Sequence, residues 1–192
     1  KKKIEAKFII DASGYGRVIP KLLDLNYPST QPNRSTIFTH FNDLNRPNTE
    51  DSNRIIAISH KPDVWIWVIP FSNGNTSCGF VGNPDYLEKY KGTPTERLKS
   101  LINNEPLLQV RFRNSDMIFE PLIISAYSIA VKQLHGPGYV LTGNSTEFLD
   151  PIFSAGVTFA TESGILAGKL ASKQLKGEKI DWDLEYSMPI LN

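Results

Sequence analysis

Hydrophobic and polar positions alternate most regularly in the middle of the chain. Residues 35–41, 54–59 and 64–71 carry β-branched and aromatic side chains in partial alternation, the period of a strand with one buried face. Ser72-Asn73-Gly74-Asn75 has the composition of a hairpin turn, and residues 76–81 resume the strand pattern. Together they predict an antiparallel sheet. After it, Thr93-Pro94-Thr95-Glu96 offers a capping Thr, a Pro at the first helical position and an acid in the first turn. Leu98, Leu101 and Ile102 follow at helical spacing, which predicts a helix over about residues 94–103.

The flanks read differently. Residues 6–11 form a short apolar run that ends in Asp11 and meets Ser13-Gly14-Tyr15-Gly16, a buried strand running into a tight turn, with a helical turn over 19–25. Residues 26–36, rich in Pro, Ser, Thr and Asn, carry the chain into a second layer. Residues 123–131 alternate like one further strand, and Gly136-Pro137-Gly138 turns into the short strand 139–142, closed by Gly143. From Gly156 to about Lys176 the period is helical. Ala160, Gly164 and Gly168 recur on one face there, which predicts close approach of another backbone.

Composition narrows the function class. With 40% hydrophobic and 21% charged residues, the chain is a globular one of one domain or two small ones. Its 21 Lys and Arg against 20 Asp and Glu leave a charge of +1, without the one-signed field of a nucleic-acid or membrane-surface binder. The one cysteine, Cys78, excludes an internal disulfide framework and suits a cytosolic location; it reads as a strand residue. His40, His60 and His135 lack ligand spacing, so surface or strand-end positions are expected and no metal is assigned. Glu147 and Asp150 read as acids serving a helix dipole.

Three constellations offer chemistry. The strand end Ile9-Ile10-Asp11-Ala12-Ser13-Gly14 presents a carboxylate and a glycine turn to which a cofactor has access; an ordinary strand and turn is the plain alternative. Trp65-Ile66-Trp67-Val68-Ile69-Pro70 places both indoles on one strand face, with Pro70 ending or edging the strand, and equally describes a core strand. Gly143-Asn144-Ser145, then residues 148–157 (Phe-Leu-Asp-Pro-Ile-Phe-Ser-Ala-Gly-Val), lead a strand through a polar loop to a helix start. That start would aim backbone N–H groups at an anion, or simply be a capped core helix.

In this order, over about residues 6–172, the three motifs resemble the FAD-dependent halogenases and their aromatic-hydroxylase relatives. The resemblance implies that Asp11, Gly14, Gly143, Asn144, Pro151, Gly156 and Val157 line an FAD site. It places Trp65, Trp67, Ile69, Pro70, Ser154 and Ala155 beside the flavin and a halide, the halide resting on the N–H groups of Ala155 and Gly156. Two positions depart from the pattern. Asn144 stands where the family carries Asp, and Phe153 stands where tryptophan halogenases carry Glu, which points to the phenol- and pyrrole-type branch.

The resemblance also implies a mixed α+β or α/β fold of p-hydroxybenzoate-hydroxylase-like architecture. Residues 1–29 and 132–192 would be remnants of a Rossmann-like FAD-binding domain, and 30–131 a β-rich antiparallel substrate layer. The family's dinucleotide-binding glycine loop and catalytic Lys are expected upstream of this sequence. The chain is therefore expected to be a fragment that by itself is inactive and lacks FAD. The whole protein would be a halogenase or monooxygenase using reduced FAD from a flavin reductase on an aromatic or other electron-rich organic substrate, including one tethered to a carrier protein. Another flavin-dependent reductase or dehydrogenase of the same fold, or a non-catalytic binding module, remains as an alternative. No nucleic acid or membrane partner is expected.

Overall fold

The computed structural model describes residues 3–125, 129–147, 152 and 154–191. It divides into two compact units, Lys1–Gln31 with Ser128–Asn192, and Pro32–Tyr127. In chain order, the first unit opens with β1 (Ile9–Asp11), a 3-10 turn (Gly14–Gly16), α1 (Val18–Leu22) and β2 (Asn26–Pro28). The second unit holds β3 (Ser35–Asn42), β4 (Ile56–Lys61), β5 (Val64–Pro70), β6 (Asn75–Gly82), α2 (Pro84–Leu87), α3 (Pro94–Asn103), α4 (Pro106–Phe112) and β7 (Leu122–Ser125). The chain then completes the first unit with β8 (Ile129–Val131), β9 (His135–Gly136), β10 (Tyr139–Leu141), α5 (Ala155–Leu175) and α6 (Met188–Leu191).

The second unit is the sheet that the alternation predicts. Its strands run in the order β4-β5-β6-β3-β7, every neighbouring pair antiparallel. One face packs Ile37, Phe41, Ile66 and Phe80 against Leu98 and Leu101 of α3 and Leu108 of α4. The predicted capping box closes α3: Glu96 N–H donates to the Thr93 hydroxyl at 3.3 Å, and the Glu96 carboxylate accepts from Thr93 N–H at 2.8 Å. Cys78 lies fully buried in this layer, and burial pushes its thiol far above the ordinary range, so it is an inert core residue.

Two polar knots tie the unit together, and neither is visible in the pattern. At the end of β3, the buried Asp43 carboxylate accepts from Arg111 Nε at 3.0 Å, from the Arg111 guanidinium Nη2 at 2.5 Å and from the Thr76 hydroxyl at 2.6 Å. Arg46 adds a contact to Asp43 at 3.4 Å and donates to the carbonyls of Phe71 and Asn75, so the knot clamps the β5–β6 hairpin. His60 is the second knot; of the two positions expected it takes the strand-end one, at the close of β4, and not the surface one. Its side chain is 3% exposed, 2.7 Å from the Glu105 carboxylate and 3.0 Å from the Tyr86 hydroxyl, because the α2 turn and the start of α4 fold over the end of β4.

In the first unit β1 runs parallel to β10, in register Ile9↔Tyr139 to Asp11↔Leu141, and β9 pairs antiparallel with β10. β2 and β8 form a separate antiparallel pair. The single strand expected over 123–131 is thus two strands: β7 completes the five-stranded sheet, and β8 serves a different one. Part of that stretch, 126–128, lies outside the described residues. Helix α5 buries Ser163, Ala167, Leu170 and Ala171, with Val140 and Tyr186 in the same core. The small-residue face acts as the pattern suggests only at its first position: the Gly143 backbone comes close to Ala160, an added Cβ lying 3.0 Å from the Ala160 Cβ, whereas a Cβ added to Gly164 or Gly168 would meet nothing within 4 Å. Among the described residues no helix is long and apolar enough to cross a membrane.

Candidate functional site

Parallel pairing of β1 with β10 brings two distant glycine turns to the same sheet edge. The carboxyl ends of adjacent parallel strands, where backbone N–H groups and loop glycines gather, are the places where open α/β sheets take ligands. Here the ends carry Asp11 to Gly14 and Gly143 to Ser145. The Asp11 carbonyl stitches the turns together, accepting from Thr142 N–H at 2.9 Å and from the Ser145 hydroxyl at 2.7 Å.

The residues of these turns divide the work. The Asp11 side chain is buried, with its two carboxylate oxygens taken by the N–H groups of Ser13 (2.8 Å) and Ile19 (2.7 Å), so it shapes the turn and caps α1. Gly14, at φ +56°, presents bare backbone with nothing within 4 Å of an added Cβ. Gly143, at φ +52°, is held against α5, its N–H donating to the Ser163 hydroxyl at 3.0 Å. Asn144 is half-buried, and its side-chain amide hydrogen-bonds to none of the described residues.

The pattern along the chain did not single out Arg17, which organises this region. Only 6% exposed and in the left-handed conformation (φ 47°), it donates to the carbonyls of Ala130 (2.8 Å), Ile129, Asn144 and Thr146, and to the Asn26 side chain (2.9 Å). Burial draws its pKa below the usual arginine value, and the fields of Asp11 and Glu147 oppose that pull. No local signal marks such a residue, since its partners come from three distant segments. Glu147 accepts from the Ser29 hydroxyl at 2.5 Å, so it too is a tie between segments.

Beside Gly143 rises α5. Ser154 precedes it at φ +55° and makes no capping side-chain bond, and the first turn, Ala155-Gly156-Val157, contains no acid. Among the described residues the leading N–H groups of this 21-residue helix, with its dipole behind them, therefore lack the usual N-cap side-chain acceptor. Gly156 stands one turn before Ala160 on the same helix face, its Cβ direction empty to 4 Å, while Val157 is 79% exposed. Pro151, Phe153, Asp150 and the Phe148-Leu149 pair lie outside the described residues; Ile152 is exposed.

The remaining predicted positions lie in the second unit. Trp65 and Trp67 share the sheet face opposite the helices, their ring centroids 6.0 Å apart, and Ile69 and Pro70 follow half-buried, with Pro70 as the last residue of β5. Trp67 is seated by two residues that the sequence reading did not choose. Its indole N–H donates to the Ser77 hydroxyl at 3.0 Å, and its ring lies over Gly79, where an added Cβ would stand 2.3 Å from it. Gly79→Ala is therefore expected to cost about 1–3 kcal/mol by overpacking. It should also displace the indole, changing the near-ultraviolet circular dichroism, whereas an unchanged spectrum and melting temperature would contradict this seat.

A model of the tryptophan halogenase family matches residues 1–179. The chain belongs to that family. A 1H-pyrrole-2-carbonyl-[peptidyl-carrier protein] brominase from Pseudoalteromonas luteoviolacea is 27% identical over 190 residues, covering 96% of this chain and 46% of the brominase. A 1H-pyrrole-2-carbonyl-[peptidyl-carrier protein] chlorinase from Pseudomonas fluorescens is 28% identical over 86% of this chain and 38% of its own. Among solved structures, a flavoprotein/dehydrogenase from Cytophaga hutchinsonii superposes with a TM-score of 0.93 at 55% identity, over 99% of this chain and 46% of that one. The flavin-dependent brominase Bmp2 gives 0.84 at 25% identity, over 96% and 48%. This tryptophan halogenase family chain thus spans 38% to 48% of the length of these four relatives. The mixed fold that the motifs imply is the fold of these neighbours.

Proposed function

We propose that the protein containing this chain is an FAD-dependent halogenase acting on an electron-rich aromatic ring, with the first unit contributing to the flavin site and the second to the substrate site. The observation that carries this reading is that the Gly14 turn, the Gly143-Asn144 turn and α5, whose N-cap Ser154 makes no side-chain cap bond, come together in one unit, with Gly143 held against Ala160 and Ser163.

The residues present fit FAD. Gly14 offers backbone with room for a ligand, and the Asn144 amide, which bonds to none of the described residues, is a donor and acceptor suited to a sugar-chain hydroxyl. The N–H groups of Ala155 and Gly156 suit a halide. Reduced FAD, supplied by a flavin reductase, would provide the electrons that activate oxygen. The chain's own part is to hold and orient, with Arg17 and Ser163 fixing the two turns. The pyrrole-carrier names of the two curated relatives support a substrate presented on a carrier protein.

The test is the full-length protein with reduced FAD, oxygen, bromide and a panel of phenols and pyrroles, free and carrier-bound. A brominated product is expected. Oxygen insertion without halogen would move the assignment to a monooxygenase. The second reading, a dehydrogenase, is favoured by the 55% identical flavoprotein/dehydrogenase and would appear as flavin reduction by an organic donor without halide dependence. A full-length protein that binds no flavin would point to a non-catalytic module. Asn144→Asp, which restores the family's usual carboxylate, is expected to keep or tighten FAD binding in a flavin titration. Lost affinity in a folded variant would mean that Asn144 is not at the cofactor.

A further inference from the structure

The three histidines of this chain are not in equivalent states. His60 is bonded to Glu105 and Tyr86, and His135 to Asp183 at 3.0 Å. The imidazole nitrogens of His40 hydrogen-bond to none of the described residues, although the side chain is half-buried. In sheet register His40 stands directly opposite Ser77, one alternation along β3 from Phe38, which lies opposite Gly79 and beside the Trp67 ring at 5.7 Å. His40 therefore shares the face of Trp67. Its ring makes T-shaped contacts with Phe71 and Phe119, each centroid 4.9 Å away. Of the polar groups on this face, the Trp67 N–H is already used by the Ser77 hydroxyl.

An imidazole held by aromatic contacts, with its nitrogens unbonded, has fixed orientation and unspent capacity to accept a proton. We propose that His40 is the proton acceptor for the organic substrate, a ring bearing an acidic O–H or N–H that lies on the Phe38 and Trp67 face; this rests on the halogenase reading above. In the step, the substrate O–H or N–H bond breaks and the proton forms a new N–H bond on His40. The electron pair left behind conjugates into the ring, whose carbon attacks the halogen of hypohalous acid. That acid is the two-electron oxidised halide that the proposed activity would supply from halide and oxygen. The carbon–halogen bond forms as the halogen–oxygen bond breaks and hydroxide leaves. The ring C–H proton is lost to solvent, and the imidazolium returns its proton to the product. The T-shaped contacts with Phe71 and Phe119 hold the imidazole in place throughout.

The full-length flavoprotein tests this with two probe pairs, a phenol with its methyl ether and a 2-acylpyrrole with its N-methyl derivative. Binding is measured by calorimetry and turnover by product mass. The wild type should bind the proton-bearing member of at least one pair about tenfold more tightly, the worth of one good hydrogen bond. His40→Phe, which keeps the aromatic contacts, should bind both members alike. His40→Gln, which keeps a hydrogen-bond acceptor but cannot take the proton, should retain the binding preference and lose about 100-fold in turnover. Preference intact in the Phe variant, or turnover within about twofold of wild type in the Gln variant, overturns the proposal. The Gln arm stands alone if the Phe variant does not fold. Oxygenated product from the wild type, with the same dependence on His40, would sink the halogenase reading and leave this role in place.

Discussion

Gly156→Val in the full-length protein is expected to lower halogenation by more than about 100-fold, the loss typical of a blocked anion-stabilising site, while FAD affinity stays near that of wild type. The position lies in the first turn of α5, where N–H groups face outward without a side-chain cap. A Cβ there meets nothing within 4 Å, so the branched side chain enters the space in front of those N–H groups without disturbing the core. The cost to the helix itself is small, since Val and Gly differ by only a few tenths of a kcal/mol in helix propensity. The turns proposed to touch FAD, at Gly14 and Asn144, are held by Arg17, Ser145 and Ser163, none of which the substitution alters. Brominated product and flavin titration are read on the same preparation. Undiminished bromination would remove the α5 start from the halide site, and simultaneous loss of flavin would place Gly156 in the cofactor's contacts instead.

The largest effect on stability is expected at Asp43. Replacing it with Ala leaves Arg111 and Arg46, whose side chains are 11% and 16% exposed, without their carboxylate, and should cost about 3–5 kcal/mol. Burial by itself would raise the Asp43 pKa, but the hydrogen bonds and charge of Arg111, with bonds from Thr76 and Arg46, outweigh it and hold the carboxyl below its ordinary value. The unfolded chain therefore takes up this proton more readily than the folded one. The corresponding stability is fully present above the unfolded pKa of about 4 and is lost as pH falls through the lower folded value. Urea unfolding at neutral pH and across the acid range should show the Ala variant weakened at neutral pH and flatter below pH 4. A variant as stable as wild type at pH 7 would show that the knot contributes nothing net.

The same knot shows where sequence reading stops. Asp43, Arg46, Thr76 and Arg111 are spread over 68 positions, and nothing in the spacing of hydrophobic residues joins them. Arg17 is a similar case, because its acceptors come from β2, β8 and the Gly143 turn. A polar side chain in a sequence is by default a surface residue, and only the folded chain reveals which ones are buried and satisfied. His60 is another case, since its strand-end position says nothing of Glu105 and Tyr86, which enclose it. Ser77 and Gly79 were passed over as ordinary strand residues, yet they seat Trp67.

What the sequence by itself determined is local. Alternation set β3, β5 and β6 to within a residue or two, Asn73-Gly74 turned the hairpin between them, and Thr93 with Glu96 started α3, since each of these depends on neighbours a few positions away. The motif order was enough to name the family. Tertiary structure alone decided that β1 lies beside β10, about 130 residues away, that residues 123–131 serve two sheets, and that α5 meets Gly143 and not a backbone along Gly164 and Gly168. The physical reason is that periodicity states which face of an element is apolar but not which distant element covers it; that choice is made by shape and hydrogen-bond satisfaction in the packed chain.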